Sequence, residues 1–116
     1  MKKLIVYEKP TCITCRNLSK ILIEEGFDFE KINYYIKPFS KAKLKSLLKM
    51  MNMKPSELLR TKEDIYKKLD IKNKNYSNDE LIDLMVKYPD LVQRPIVVYG
   101  DKAILARPPE KVKELF

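Results

Sequence analysis

A short apolar run, Leu4-Ile5-Val6-Tyr7, follows the opening lysines and predicts a first strand over about Lys3–Tyr7. Leu18, Ile21, Leu22 and Ile23 then fall at helical spacing, so a helix is expected over about Ile13–Glu25, stopped at Gly26. From Phe27 to Asn33 the period changes to two: Phe27, Phe29 and Ile32 alternate with Asp28, Glu30 and Lys31, a second strand. A strand, a helix and a strand in so little chain imply a parallel, right-handed unit.

Tyr34 to Phe39 reads as a loop containing Pro38. Ser40 then has the character of an N-cap, and Leu44, Leu47, Leu48 and Met51 predict a helix over about Lys41–Asn52. Pro55 suits the first turn of a short helix through Ser56–Arg60, and Ile65, Tyr66 and Leu69 mark another over about Glu63–Leu69. Lys72 to Tyr76 is polar and turn-like. Ser77-Asn78-Asp79-Glu80 forms a capping box ahead of Leu81, Ile82, Leu84 and Met85, in a helix that ends before Pro89. Residues 40–88 are therefore an all-helical block. Ile96-Val97-Val98-Tyr99 and Ala103-Ile104-Leu105-Ala106 flank Gly100-Asp101-Lys102 as a hairpin. Pro108-Pro109 interrupt the chain, and a short helix is expected over Glu110–Phe116.

This order describes an α/β chain with a mixed sheet and helices packed on it. A Cys-x-x-Cys, Cys12-Ile13-Thr14-Cys15, stands where the first strand hands over to the first helix. With that motif in that place, the best match is a thioredoxin-like fold (β-α-β … β-β-α) carrying a helical insertion. The 116 residues suffice for one core. A single domain over residues 1–116 is expected, its core in 1–39 and 90–116 and its insertion at about 40–88.

Composition narrows the function. No run approaches the roughly 20 apolar residues of a membrane span, and no signal-peptide pattern follows Lys2-Lys3. A cytoplasmic protein with no membrane partner is expected. The net charge of +8 is uneven: residues 1–54 carry 12 basic and 5 acidic side chains, residues 55–116 carry 12 and 11. Lys41, Lys43, Lys45, Lys49 and Lys54 lie in the basic half and read as a solvated helix face, or else as an attractor of an anion or acidic partner. No zinc-finger or RNA-binding aromatic motif supports direct binding of nucleic acid. There is no histidine, which removes the commonest general base and nitrogen metal ligand. With only two cysteines, no bound metal or cofactor is expected, and a monomer is expected from the size and the lack of an obvious apolar patch.

The two cysteines are either buried structural thiols or a redox pair, and their position favours the redox pair. The first turn of a helix presents unpaired N–H groups and partial positive charge, which favour a thiolate at Cys12. Cys15 lies one turn on, and Arg16 adds a cation. Pro95 precedes the penultimate strand, where a thioredoxin-like fold places a cis-proline facing the cysteines. Arg60, Arg94 and Arg107 are each ordinary surface residues taken singly. Gathered beside a thiolate they would bind a tetrahedral oxyanion through paired donors.

The sequence resembles the glutaredoxin-coupled arsenate reductases and their relatives, the Spx transcription regulators, over essentially its whole length. The matching pieces are Tyr7 through Asn17 (YEKPTCITCRN), Glu57-Leu58-Leu59-Arg60, Asp79-Glu80-Leu81-Ile82-Asp83, Gln93-Arg94-Pro95-Ile96-Val97-Val98 and Ala106-Arg107-Pro108. The resemblance implies that Cys12 attacks arsenate while Arg60, Arg94 and Arg107 hold the oxyanion, with Thr11, Arg16 and Pro95 in support. It also implies glutathione as co-substrate and glutaredoxin as electron donor, while Cys15 itself suggests a second route, in which it closes a disulfide with Cys12 and thioredoxin is the donor. The reductases usually carry serine at the position of Cys15 and glycine at that of Ile13. A Cys-x-x-Cys used as a disulfide switch is the Spx pattern, which implies binding to the alpha subunit of RNA polymerase. Spx proteins use a glycine in a loop that here reads Asn52-Met53-Lys54-Pro55, and do not generally keep the arginine at Arg60. Two features thus favour the reductase and one the regulator.

Overall fold

A computed structural model describes residues 3–116. The chain divides into two compact units, one running up to Lys37 and resuming over Arg94–Phe116, the other Pro38–Gln93.

The first unit is built on a four-stranded sheet. Strands β1 (Leu4–Glu8), β2 (Glu30–Asn33), β3 (Ile96–Tyr99) and β4 (Lys102–Leu105) lie in the order β2-β1-β3-β4. β1 pairs parallel with β2, Tyr7 opposite Ile32, and antiparallel with β3, Val6 opposite Val97. Helix α1 (Ile13–Glu24) makes the crossover between the parallel strands. Its Leu18 and Leu22 are fully buried in one cluster with Leu4, Val6, Val97, Val112 and Leu115. That cluster fixes α1 against the sheet and so fixes the height at which its first turn emerges. The helix stops at Gly26, whose positive φ of +79° lets the Phe27 N–H return to the Leu22 carbonyl at 2.9 Å.

Several boundaries differ from the sequence expectation, and three of the differences have a cause visible in the contacts. The second strand begins at Glu30, not Phe27, because only Glu30–Asn33 faces β1 in the ladder, while Phe27 stacks on Phe116 at 4.1 Å between ring centroids. β4 starts at Lys102, since Gly100-Asp101 alone makes the turn, and Ala106 leaves the strand to give its N–H to the Pro95 carbonyl at 2.9 Å. The C-terminal helix is a 3-10 segment, Pro109–Leu115, entered through Pro108 in extended conformation.

The second unit holds helices α2 (Lys41–Met51), α3 (Pro55–Leu58), α4 (Asp64–Lys68) and α5 (Asn78–Lys87), with 3-10 turns at Ile71–Asn73 and Pro89–Leu91. Ser40 caps α2 by accepting the Lys43 N–H at 3.0 Å, and Ser77 and Glu80 close the expected capping box on α5. α2 and α3 both pack on α5. Lys41 and Lys45 pair with Asp79 and Asp83 of α5, at 3.1 Å for Lys41–Asp83 and 3.0 Å for Lys45–Asp79, so part of the basic half serves contacts within this unit. Among the described residues no helix is long and apolar enough to cross a membrane.

Candidate active site

β1 ends at Glu8, and a turn through Pro10-Thr11 delivers Cys12 to the head of α1. The Cys12 N–H is held by the Lys9 carbonyl at 3.0 Å, and its own carbonyl accepts the Arg16 N–H at 3.0 Å. Its backbone is extended (φ −81°, ψ 124°), the conformation of an N-cap residue. The Cys12 Sγ does what a serine oxygen does elsewhere: it accepts the Cys15 N–H, at 3.4 Å. The thiol therefore sits on the positive end of a 12-residue helix.

The two thiols are free and differ in environment. Partial burial by itself pushes the Cys12 thiol up. The hydrogen bonds from the Cys15 side chain and amide, and the adjacent Arg94 guanidinium, outweigh that and hold it below its ordinary value of 9.0. Cys15 is fully buried, which pushes its thiol up to about 12, with the Lys9 amide easing it down and Cys12 and Glu8 adding to the rise. Cys12 is thus the more readily ionised thiol of the pair.

Arg94 reaches this sulfur from the segment that leads into β3, and Arg107 lies against the backbone of Arg94. Arg94 enters β3 through a cis peptide bond to Pro95, and a second cis bond joins Arg107 to Pro108. The cis-proline expected at Pro95 is present, and the one at Pro108 adds to it. Arg94 is 7% exposed, and its Nη1 donates to the Tyr35 hydroxyl at 3.2 Å. Burial works against its charge, but the Tyr34 and Tyr35 hydroxyls and the Cys12 sulfur more than compensate, and the guanidinium is held above its ordinary range. Its Nε is buried with no hydrogen-bond partner among the described residues. Arg107 Nη1 donates to the Arg94 carbonyl at 3.2 Å and to Thr14 Oγ1 at 3.4 Å.

Of the residues singled out in the sequence, Cys12, Cys15, Arg94, Pro95 and Arg107 lie together at the end of the sheet. Arg16 serves the turn instead: its Nε donates to the Pro10 carbonyl at 3.2 Å. Thr11 is exposed in that turn. Arg60 belongs to the helical unit, where its Nε donates to Glu63 Oε1 at 2.9 Å and its N–H to the Leu91 carbonyl at 2.8 Å. Three further residues touch this chemistry. Thr14 could have been suspected as the polar position inside Cys-x-x-Cys. Tyr35 lay in a segment read only as a loop. Glu8, 4% exposed with Lys31 Nζ at 3.9 Å, had only its place at the end of β1 to mark it. Among the described residues no group of three or more His, Cys, Asp or Glu side chains could hold a metal ion.

A thiolate on a helix N-terminus beside a buried arginine with a spare donor can bind and attack a small oxyanion. Comparison with known proteins agrees with that chemistry. The model of the ArsC family matches residues 7–115. A protein of Escherichia coli (strain K12) described as uncharacterized protein YfgD is 40% identical over 115 residues, 98% of this chain and 97% of its own. An arsenate reductase of Haemophilus influenzae is 34% identical over 112 residues, 96% of this chain and 97% of its own. The solved structure of an arsenate reductase from Vibrio cholerae matches with a TM-score of 0.94 at 31% identity, covering 99% of this chain and 98% of that one. The sheet and its helices are those of the thioredoxin-like arsenate reductase structures.

Proposed function

The chain belongs to the ArsC family, and from that premise we propose that it is an arsenate reductase whose nucleophile is Cys12. The observation that carries this reading is the pairing of the Cys12 Sγ, capping α1 at 3.4 Å from the Cys15 nitrogen, with Arg94, whose buried Nε has no partner among the described residues. A buried donor without a partner calls for one, and an arsenate oxygen beside the sulfur would supply it.

In this mechanism the Cys12 thiolate attacks arsenic(V), forming a sulfur–arsenic bond while one arsenate oxygen takes up protons and leaves as water. Arg94 and Arg107 neutralise the charge on the remaining oxygens from fixed positions, the preorganised electrostatic contribution. A second thiol then attacks the Cys12 sulfur. Arsenic leaves with the bonding pair as arsenite, gaining two electrons, and the two sulfurs become a disulfide. With glutathione as the second thiol, the product is a mixed disulfide of Cys12 and glutathione, which glutaredoxin reduces to restore the Cys12 thiol. With Cys15 as the second thiol, the product is a Cys12–Cys15 disulfide, which a thioredoxin would reduce. Either route belongs to the reducing cytoplasm. Arg60 enters as an oxyanion ligand from the sequence resemblance alone, and Arg60→Lys in the assay below decides its place.

The test is arsenate-dependent NADPH oxidation by the reduced protein, coupled in one arm through glutathione, glutaredoxin and glutathione reductase, in the other through thioredoxin and its reductase. Turnover in either arm that vanishes in Cys12→Ser supports the reading and identifies the donor. The Cys-x-x-Cys keeps a second reading in view, an Spx-like regulator. Capture of the RNA polymerase alpha subunit that depends on the oxidation state of Cys12 and Cys15, with no turnover in either arm, would replace the first reading by the second.

A further inference from the structure

An arginine side chain has several rotatable bonds, so a guanidinium that serves a reaction centre has to be aimed. The backbone of Arg94 is fixed by Arg107, but its side chain is held by something else. Its Nη1 donates to the hydroxyl of Tyr35 at 3.2 Å. Tyr35 comes from the turn after β2, an element that carries none of the residues proposed for catalysis. That turn is itself braced. The Tyr35 N–H donates to Asn33 Oδ1 at 3.0 Å, and its ring lies 5.0 Å from that of Tyr34. On the ring face, Lys9 Nζ stands 4.8 Å from the centroid, a cation–π distance. Lys9 is the residue whose carbonyl anchors the Cys12 N–H. One phenol therefore ties the Cys12 turn to Arg94, by its face to Lys9 and by its hydroxyl to the guanidinium.

We propose that Tyr35 is a positioning residue that orients the Arg94 guanidinium toward the Cys12 sulfur and the bound oxyanion. The proposal rests on the reading of Cys12 as the reacting thiolate. Without the hydroxyl, Nη1 loses its 3.2 Å bond, and the guanidinium is left to settle on its remaining neighbours, the Tyr34 hydroxyl and the Cys12 sulfur, in a less fixed orientation. Cys12 then loses part of the positive charge that favours its thiolate, and the oxyanion loses a directed donor.

Tyr35→Phe in the full chain tests this, because it keeps the ring and its contact with Lys9. The first readout is the pH profile of Cys12 alkylation by iodoacetamide, followed by mass spectrometry of the Cys12 peptide, with no arsenate present. The midpoint should move upward from the wild-type value. The second is kcat/KM for arsenate, which should fall about tenfold, mainly through KM, as expected for loss of a hydrogen bond to a charged group. Tyr35→Leu removes the ring face as well and should move both readouts further. A Tyr35→Phe protein with the wild-type alkylation midpoint and the wild-type kcat/KM overturns the proposal. If the wild type itself does not reduce arsenate, the reductase reading fails, and the alkylation profile alone still decides the role of Tyr35. Matching thermal melts of wild type and Tyr35→Phe exclude a folding defect as the cause of a shift.

Discussion

Arg107 holds Arg94 by its backbone: Arg107 Nη1 lies 3.2 Å from the Arg94 carbonyl oxygen and, on the same nitrogen, 3.4 Å from Thr14 Oγ1. One guanidinium thus bridges the segment that enters β3 and the first turn of α1. This fixes the distance between the two cations and the helix end on which Cys12 sits.

Arg107→Lys should therefore impair the site more than the fold. A lysine ammonium that takes the place of Nη1 between these two partners has no second nitrogen to present to an oxyanion, as the guanidinium fork does. The expectation is a fall of about tenfold or more in kcat/KM for arsenate, with a melting temperature close to wild type, since Arg107 is exposed. A large fall in stability with unchanged kinetics would place Arg107 in the fold alone.

The two thiols should separate in a labelling experiment. Cys12 titrates below its ordinary 9.0 and Cys15 at about 12. Iodoacetamide at about neutral pH should modify Cys12 and leave Cys15 intact, because the thiolate is the reactive form. Arg94→Gln removes the guanidinium that favours the Cys12 thiolate and should shift its labelling to higher pH. Equal labelling of both cysteines would contradict the environments described for them.

Glu8 should make stability fall as pH rises. Its carboxyl is 4% exposed, and burial raises it above its ordinary value of 4.5, with Lys31 opposing the rise. The folded state thus binds this proton more tightly than the unfolded state. The associated stability is fully present below the ordinary carboxylate value and is lost as pH rises through the raised one. Glu8→Gln, which keeps the shape without the charge, should melt higher than wild type at about neutral pH, with the gap closing as the pH falls toward 4.5. Thermal melts across that range check this. A Glu8→Gln protein less stable than wild type at every pH would mean that the ionised carboxylate, paired with Lys31 at 3.9 Å, is a net contributor.

Much of this architecture was legible in the sequence, for physical reasons that can be named. The Leu18 and Leu22 spacing, the stop at Gly26 and the Ser77–Glu80 box are local signals, decided within a few residues, and they appear where expected. Cys12 was legible because N-cap chemistry depends only on its place at the start of a helix. What failed to show was set by neighbours distant in the chain. Whether Phe27 joins β2 depends on how far β1 extends beside it and on a ring, Phe116, from the other end of the sequence. Tyr35 looked like any loop residue, since its role arises only when Arg94, from another part of the chain, donates to its hydroxyl. The burial of Glu8 is likewise a property of the assembled sheet, as its sequence neighbours Tyr7 and Lys9 do not announce it.

The most direct test of the central claim is the rate of arsenite formation from arsenate by wild type and by Cys12→Ser, with glutathione and glutaredoxin supplied and the product measured as arsenic(III). The expected result is catalytic arsenite production by wild type and background production by Cys12→Ser. Cys15→Ser in parallel decides the second thiol: unchanged turnover with glutathione present removes the internal disulfide from the cycle. No arsenite from wild type, or an equal yield from Cys12→Ser, would contradict a Cys12-dependent arsenate reductase.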